Sequence, residues 1–170
     1  MNREEGNIRL VKIDPQNFDE MINLQVNEIQ KEFVAPNIYS LAEAYANLAA
    51  GKYAQPFGIY DGEIPVGFLM IGYDCFENED DLLKYPIIKD NYVIWRFMID
   101  KNCQKKGYGT AAMKLALDFI RTWPCGKAEY CWLSYEPENV IARKLYQSFG
   151  FVEESKIPED WDEIPAVLKL

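Results

Sequence analysis

The sequence predicts an α/β fold in which a mixed, mostly antiparallel central sheet carries helices on both faces. Two observations predict it. Short apolar stretches with strand-like patterns are interleaved with stretches whose apolar residues recur at helical spacing, and their order along the chain is βααββ–β–α–β–α–ββ. No internal repeat or linker interrupts the 170 residues. We therefore expect a single domain, residues 1–170, with its own core.

The strands are predicted from alternation, from continuous apolar runs and from turn signals. Asp61-Gly62 is a strong hairpin signal between two of them. The run from Tyr92 to Ile99 is apolar except for Arg96, which is typical of a strand covered on both faces. The predicted strands are 8–13, 57–60, 66–73, 92–99, 130–133, 151–157 and 164–170.

The helices are predicted from helical spacing of apolar residues together with start and stop signals. Asp14 and Pro15 favour a helix start, but the pattern that follows them breaks near Asn23. Ser40 is the expected N-cap of the next helix and Gly51 its end. The predicted helices follow Pro15, cover 41–50, follow Thr110 as far as Arg121, and run from Pro137 to Gly150.

Charge and composition exclude several functions. The chain has 27 acidic and 18 basic residues, a net charge of -9. This argues against nucleic acid, which needs clustered Lys and Arg. The absence of histidine excludes Ser-His and Cys-His nucleophiles and His-ligated metals. The four cysteines lack zinc or redox spacing. With no visible signal peptide or membrane-length apolar run, we expect a cytoplasmic protein that binds neither metal nor membrane.

The most informative segment is a glycine-containing loop between a predicted strand and a predicted helix. Gly107 and Gly109 can adopt φ > 0 and let a ligand approach the backbone closely. A helix start leaves N–H groups without intrahelical partners and carries partial positive charge, so the loop could bind a pyrophosphate. The loop lacks the third glycine of a dinucleotide motif and the ending of a P-loop. A tight turn without a ligand therefore stays an alternative.

Two segments carry a resemblance to a known family. Residues 104–109 read Gln-Lys-Lys-Gly-Tyr-Gly, which resembles the Gln/Arg-x-x-Gly-x-Gly/Ala signature of the GNAT superfamily of acyl-CoA N-acyltransferases. Residues 139–151 read Asn-Val-Ile-Ala-Arg-Lys-Leu-Tyr-Gln-Ser-Phe-Gly-Phe, and match every named position of the second signature, Asn-x-x-Ala-x-x-Leu-Tyr-x-x-x-Gly-Phe. The element order also agrees, so the resemblance covers essentially the whole chain. It implies the GNAT fold, acetyl-CoA as co-substrate and acyl transfer to an amine.

The resemblance also implies where coenzyme A would bind. A strand end would pair with its pantetheine arm, as an added strand does, and the loop amides would bind its pyrophosphate. Gln104 would shape the loop, and Asn139 would contact the cofactor arm. The strand residues are Phe97, Met98 and Ile99, and the loop residues are Lys105, Lys106, Gly107, Tyr108, Gly109 and Thr110.

The catalytic groups implied by the resemblance are a backbone N–H and a phenol. The N–H near Ile99 would stabilise the tetrahedral oxyanion, and Tyr146 would protonate the departing thiolate. Each residue also has a purely structural alternative. Tyr146 lies on the apolar stripe of its helix and could be a core aromatic, and Asn139 could be a helix cap. Cys103 is interpreted as structural, and we expect no acyl-cysteine intermediate.

The proton acceptor for the attacking amine is not evident from the sequence. Some relatives use a Glu on the strand before the signature loop, but here that region reads Ile94-Trp95-Arg96. We hypothesise deprotonation through water toward acids that line the pocket. The acids at 153–154 and 159–163 are interpreted as solvated.

Within the superfamily, residues 56–60, 66–70, 96–100 and 168–170 are most similar to bacterial spermine/spermidine acetyltransferases. A polyamine pocket needs spaced carboxylates and aromatic faces. The candidate substrate contacts are Glu28, Glu32, Asp74, Glu77, Tyr92 and Trp95. Acids on helices and loops usually form a solvated face, so that alternative stays open. An aminoglycoside or a peptide N-terminus could also be the acceptor, and the chain could be a non-catalytic acyl-CoA-binding module. A homodimer is a further expectation.

Overall fold

The structure, a computed structural model, describes residues 7–75, 85–155 and 161–170. Seven strands and four helices lie within these ranges. The strands are β1 (Ile8–Lys12), β2 (Tyr53–Asp61), β3 (Ile64–Tyr73), β4 (Tyr92–Ile99), β5 (Tyr130–Tyr135), β6 (Val152–Glu153) and β7 (Ile164–Lys169). The helices are α1 (Phe18–Asn23), α2 (Asn37–Ala49), α3 (Tyr108–Ile120) and α4 (Val140–Ser148), with single 3-10 turns at Glu28–Gln30 and Pro86–Ile88.

The strands form one sheet in the order β1-β2-β3-β4-β5-β7-β6. Only the β4–β5 pair is parallel; every other neighbouring pair in this sheet is antiparallel. The predicted mixed, mostly antiparallel sheet is therefore confirmed. The last strand, β7, enters between β5 and β6, which brings the residues just before β7 next to the end of β5.

The sheet divides where β4 and β5 meet. Their ladder consists of two pairs, Tyr92 with Cys131 and Val93 with Trp132. After Val93, β4 continues alongside β3 alone, while β5 continues alongside β7. Two strands that pair only at their starts must diverge toward their ends. Their divergence opens a gap at the C-terminal ends of β4 and β5.

A bulge in β4 contributes to this divergence. The β3–β4 register runs from Met70 opposite Arg96 to Ile71 opposite Ile94, which leaves Trp95 as the extra residue. An extra residue bends and twists the strand that carries it. It also reverses which side chains face which side. Ile94 before the bulge and Phe97 after it pack on the same core, although strict alternation would put them on opposite faces.

The helices cover both faces of the sheet, as predicted. Residues of α3 and α4 pack on the larger core, which includes Met113, Ile120 and Tyr146. The other face carries a second core in which Ala44 of α2 packs with Phe68 and other sheet residues. Helix α1 approaches β2 closely at Gly58, where an added Cβ would lie 2.7 Å from the sulfur of Met21.

Several predicted element boundaries need correction. Strand β2 begins at Tyr53 rather than at 57, and α4 begins at Val140 rather than at Pro137. Helix α2 begins at Asn37, so Ser40 is not its N-cap; its hydroxyl donates to the Pro36 carbonyl instead. The strand predicted over 151–157 is shorter in the structure, where β6 covers only Val152–Glu153. Residue 157 lies outside the described ranges. The break near Asn23 is confirmed, because α1 ends there and a 3-10 turn follows at Glu28–Gln30.

Candidate active site

A cleft of about 730 Å³ occupies the gap between β4 and β5. Its walls come from the diverging strands, the start of α3, one face of α4, the segment after the first 3-10 turn and the residues that precede β7. We call residues 104–110 with the end of β4 the loop side. We call Glu32, Asp162 and Glu163, all of which line the cleft, the acidic side.

The loop side presents the start of α3 to the cleft. Gly107 caps this helix with φ 87, in the left-handed region that favours glycine, and Lys105 lies there too, with φ 62. No side chain caps α3. The first N–H groups of a helix have no intrahelical acceptor and carry partial positive charge. The loop side is therefore a place where an anion can bind backbone N–H groups.

The loop is held by side-chain amides. The Gln104 side chain donates to the Ile99 carbonyl at 3.0 Å and to the Gln30 side chain at 2.8 Å, and accepts from Asn27 at 3.1 Å. Farther along, the Tyr108 hydroxyl donates to Asp61 at 2.7 Å. These bonds fix the loop to the end of β4, to the first 3-10 turn and to the β2–β3 hairpin. This placement fits the shaping role expected for Gln104.

The two glycines of the loop differ. Gly107 needs its positive φ, whereas Gly109 has no positive φ and lies in the first turn of α3. An added Cβ on Gly109 would meet Leu145 at 3.7 Å and Ile99 at 3.9 Å, which are ordinary contacts. The expectation of φ > 0 at both positions is therefore wrong for Gly109.

Tyr146 lies at the inner wall of the cleft. Its ring packs against Tyr135 and Phe151, with centroids 5.5 and 6.1 Å away, and the residue is only 7% exposed. Burial, followed by the nearby Glu163 charge and Tyr135, raises the pKa of this phenol. Its hydroxyl has no hydrogen-bond partner among the described residues. Tyr146 is both a core aromatic and a cleft residue whose phenol stays protonated.

Asn139 fulfils the alternative role considered for it and also lines the cleft. It is the N-cap of α4, where its side-chain oxygen accepts from the Ala142 N–H at 3.2 Å. Lys106 does not line the cleft; its ammonium donates to the Asn102 carbonyl at 2.9 Å. The remaining predicted cofactor contacts, on β4 and in the loop, line the cleft.

The acidic side is assembled from separate parts of the chain. Glu32 follows the first 3-10 turn, and Asp162 and Glu163 precede β7. Glu136, just after β5, lies close enough to these carboxylates for their negative charges to affect its own ionisation. After burial, which is the largest cause, Glu163, Glu138, Asp162 and Glu32 all raise its pKa. Negative charge thus accumulates around this part of the cleft.

Aromatic rings adjoin the acidic side. Trp161 stacks on Trp132 with centroids 6.3 Å apart, and both line the cleft, as does Trp95. Among the described residues, the one arginine that lines the cleft is Arg96, which pairs with Glu43 at 2.7 Å and lies over the Trp95 ring. Because its charge is compensated by Glu43, Arg96 does not cancel the negative charge of the acidic side.

The structure brings only part of the predicted substrate set to the cleft. Glu32 and Trp95 line it. Glu28 does not; it is paired with Lys31 on the surface. Asp74 lies beyond β3 and also does not line the cleft. Glu77 lies outside the described residues.

Tyr92 is a core residue, which corrects the expectation that it faces substrate. It is fully buried, packs in the larger core, and its hydroxyl donates to the Gly126 carbonyl at 2.9 Å. Sequence reasoning missed Trp161, Asp162 and Glu163, which it assigned in part to a solvated segment. No local pattern marks them, because only the pairing of β7 with β5 brings them to the cleft.

No group of His, Cys, Asp or Glu side chains suited to a metal occurs among the described residues. Within the same ranges, no helix is long and apolar enough to cross a membrane.

Comparison with known proteins gives the class and the family to which this fold and cleft belong. Residues 19–151 match the acetyltransferase (GNAT) family. The chain therefore belongs to this family, and the predicted fold and enzyme class are confirmed.

Individual proteins that resemble this chain are found both by sequence and by structure. The spermine/spermidine N(1)-acetyltransferase of Bacillus subtilis (strain 168) is 28% identical over 147 residues, which cover 85% of this chain and 87% of that protein. Two solved structures share the fold. Spermidine N-acetyltransferase from Vibrio cholerae, in complex with CoA and spermine, has a TM-score of 0.70 at 19% identity, covering 95% of both chains. The aminoglycoside acetyltransferase AAC(6')-Ib, in complex with coenzyme A, has a TM-score of 0.74 at 13% identity, covering 96% of this chain and 95% of that one.

Proposed function

We propose that this protein transfers the acetyl group of acetyl-CoA to a primary amine of a polyamine, by direct attack within a ternary complex. One observation carries the proposal. A single cleft joins a helix start that has no side-chain cap, a buried phenol and an acidic, aromatic wall. These are complementary to a pyrophosphate, a thiolate leaving group and an extended polycation.

The loop side is the proposed site for the donor. The N–H groups at the start of α3 would bind the pyrophosphate, and Lys105 adds positive charge next to them. The edge of β4 after Val93 has no β5 partner in its ladder. It could therefore pair with the pantetheine amides as an added strand does. A backbone N–H near Ile99 would stabilise the oxyanion.

Transfer follows from the proximity of the two substrates. The neutral amine nitrogen attacks the thioester carbonyl carbon, and the C–S bond breaks as the C–N bond forms. Tyr146 donates its phenolic proton to the leaving sulfur, a role that suits a phenol held protonated by its buried site. Positioning both substrates in one cleft supplies much of the rate.

The acidic side favours a polycation as acceptor. Glu32, Asp162 and the neighbouring Glu136 can each attract an ammonium group. Trp161 can make a cation–π contact with an ammonium group, and Trp95, over which Arg96 lies, adds a second aromatic ring to the wall. Both the B. subtilis and the V. cholerae relatives have names that state a polyamine substrate, which supports the same class here.

The test is free-thiol release from acetyl-CoA with putrescine, spermidine, spermine, kanamycin and a short peptide as acceptors, and a reaction without amine as the blank. We expect release with spermidine and spermine at the highest kcat/KM. A higher kcat/KM with kanamycin or the peptide would mean that this acceptor, and not a polyamine, is the substrate. Binding of CoA without amine-dependent release would indicate a non-catalytic module. The homodimer stays a prediction, which sedimentation velocity checks.

A further inference from the structure

We infer that Glu163 is the proton acceptor for the attacking amine, and that Ser134 is the positioning residue that holds its carboxylate in the cleft. The inference rests on the proposed function and assigns a residue to the one step for which the sequence offers no candidate.

The β5–β7 pairing places these two side chains together. Ser134 lies opposite Pro165 and Tyr135 opposite Ile164, so the residue just before β7 is adjacent to the end of β5. The Ser134 hydroxyl donates a hydrogen bond to Oε2 of Glu163. Oε1 accepts no hydrogen bond from the described part of the chain. One carboxylate oxygen is therefore held in place while the other is available to an amine or a water in the cleft.

Glu163 is also the cleft carboxylate that affects the proposed acid. Its charge raises the pKa of the Tyr146 phenol, and neither Glu32 nor Asp162 contributes to that shift. Both of those residues are exposed, while Glu163 is half-buried. The amine nitrogen must lie near the thioester carbon when the sulfur lies near Tyr146. A carboxylate near Tyr146 is therefore near the reacting nitrogen too.

Strand β4 offers no acceptor, and two further groups in the cleft are less suitable than Glu163. β4 carries no carboxylate between Val93 and Ile99. The Tyr135 hydroxyl donates to Glu153 at 2.5 Å, and burial raises the pKa of this phenol, so it is a poor base. Cys103 lines the cleft, but within the described ranges its thiol makes no hydrogen bond to a basic side chain.

The protons balance in two steps. Glu163 takes one proton from the ammonium, directly or through a water, which leaves the nitrogen lone pair free to attack. The tetrahedral adduct then carries a positively charged nitrogen, which loses its second proton as Tyr146 gives one to the departing sulfur. Tyr146 is reprotonated by that second proton, and Glu163 releases its proton to solvent. The products are the acetamide, CoA thiol and one proton.

Several elements place titratable and charged groups near Glu163. The Glu163 charge acts on the Tyr146 phenol of α4, and Ser134 of β5 donates to the Glu163 carboxylate; Tyr135 of β5 lines the same cleft. Three carboxylates surround Glu163, namely Glu136 after β5, the adjacent Asp162 and, across the cleft, Glu32. Among the described residues, the cations that line the cleft are Arg96, which is paired with Glu43, and Lys105 on the loop side.

The test compares wild type with Glu163→Gln, which keeps the size of the side chain and an oxygen that can accept from Ser134. Wild type must first show amine-dependent thiol release; if it does not, the proposed function fails and the inference fails with it. With saturating spermidine at pH 7, we expect kcat of the variant to fall about 10²-fold or more. The loss should shrink toward pH 10, close to the ordinary pKa of a primary amine, about 10.4 for lysine.

Two results from an active wild type would overturn the inference alone. A raised KM with unchanged kcat would make Glu163 an ammonium contact only. A kcat loss of the same size at every pH would indicate a structural role. Glu129→Gln, an exposed acid outside the cleft, is the matched control and should behave like wild type. CoA affinity and thermal unfolding show whether each variant is folded.

Ser134 provides the second variant if Glu163→Gln does not fold. We expect Ser134→Ala to lower kcat by a smaller factor, again with a loss that shrinks as the pH rises, and Ser134→Thr to restore it by returning the hydroxyl. A pH-independent loss in Ser134→Ala, or no rescue by threonine, would contradict the positioning role.

Discussion

The loop side and the acidic side of the cleft are built in opposite ways. The loop side is almost one continuous segment, in which the end of β4, the loop and the first turn of α3 follow one another in sequence. The acidic side draws Glu32, Asp162 and Glu163 from segments far apart in the chain. Chemistry that depends on backbone N–H groups needs a local motif. Recognition of a spaced polycation needs only carboxylates at suitable positions, which any nearby element can supply.

The largest expected effect concerns Tyr146, which lies between the two sides. Tyr146→Phe should lower kcat by about 10²–10⁴-fold, because it removes the proposed proton donor, while the ring packing against Tyr135 and Phe151 is kept. Steady-state kinetics measures the loss, and calorimetric titration with CoA should give an unchanged affinity. A variant with the kcat of wild type would exclude Tyr146 as the acid.

The next effect separates the two glycines of the loop side. Gly107→Ala forces an L-residue into the left-handed region at φ 87. This conformation costs about 1–2 kcal/mol of conformational free energy. We expect the KM of the variant for acetyl-CoA to rise about tenfold, with little change in the KM for spermidine. Gly109→Ala is the matched comparison, since its Cβ meets only ordinary contacts. Equal effects at both positions would contradict the different roles of the two glycines.

A smaller effect is expected from charge removal on the acidic side. Glu32→Gln and Asp162→Asn remove exposed carboxylates, whose attraction for ammonium groups is screened by salt. Each substitution should raise the KM for spermine by a few-fold at low salt and less at high salt, with the KM for acetyl-CoA unchanged. Initial rates at two ionic strengths measure this. A change in the KM for acetyl-CoA alone would contradict the assignment of the acidic side to the amine and of the loop side to acetyl-CoA.

The smallest effect concerns Glu153, which binds Tyr135 of the cleft wall through a hydrogen bond. Glu153 accepts from Tyr135 and, at 2.6 and 2.9 Å, from Arg143, and these bonds hold the pKa of its carboxyl below the usual range. A lowered folded-state pKa stabilises the fold above the ordinary value of 4.5, and this stabilisation is lost as the pH falls through the lowered one. Glu153→Gln should lower Tm by about 2–4 °C at pH 7 and by less at pH 3.5. A difference that grows as the pH falls would contradict this sign.

The two sides also differ in how far the sequence predicted them. The residues predicted for the loop side, apart from Lys106, line the cleft, because they belong to one contiguous motif after a recognisable strand. Tyr92 was assigned wrongly because a continuous apolar run does not reveal which side chains face the cleft, and the bulge at Trp95 changes the alternation within β4. Trp161, Asp162 and Glu163 were missed because the insertion of β7 between β5 and β6 is a property of the topology.

Direct transfer between the two sides is the central claim, and initial-rate kinetics with both substrates varied tests it most directly. If acetyl-CoA and the amine occupy the cleft together, double-reciprocal plots at several fixed amine concentrations should intersect. Parallel lines would mean that CoA leaves before the amine binds, through an acetylated enzyme, and would contradict a single cleft in which the amine attacks the thioester.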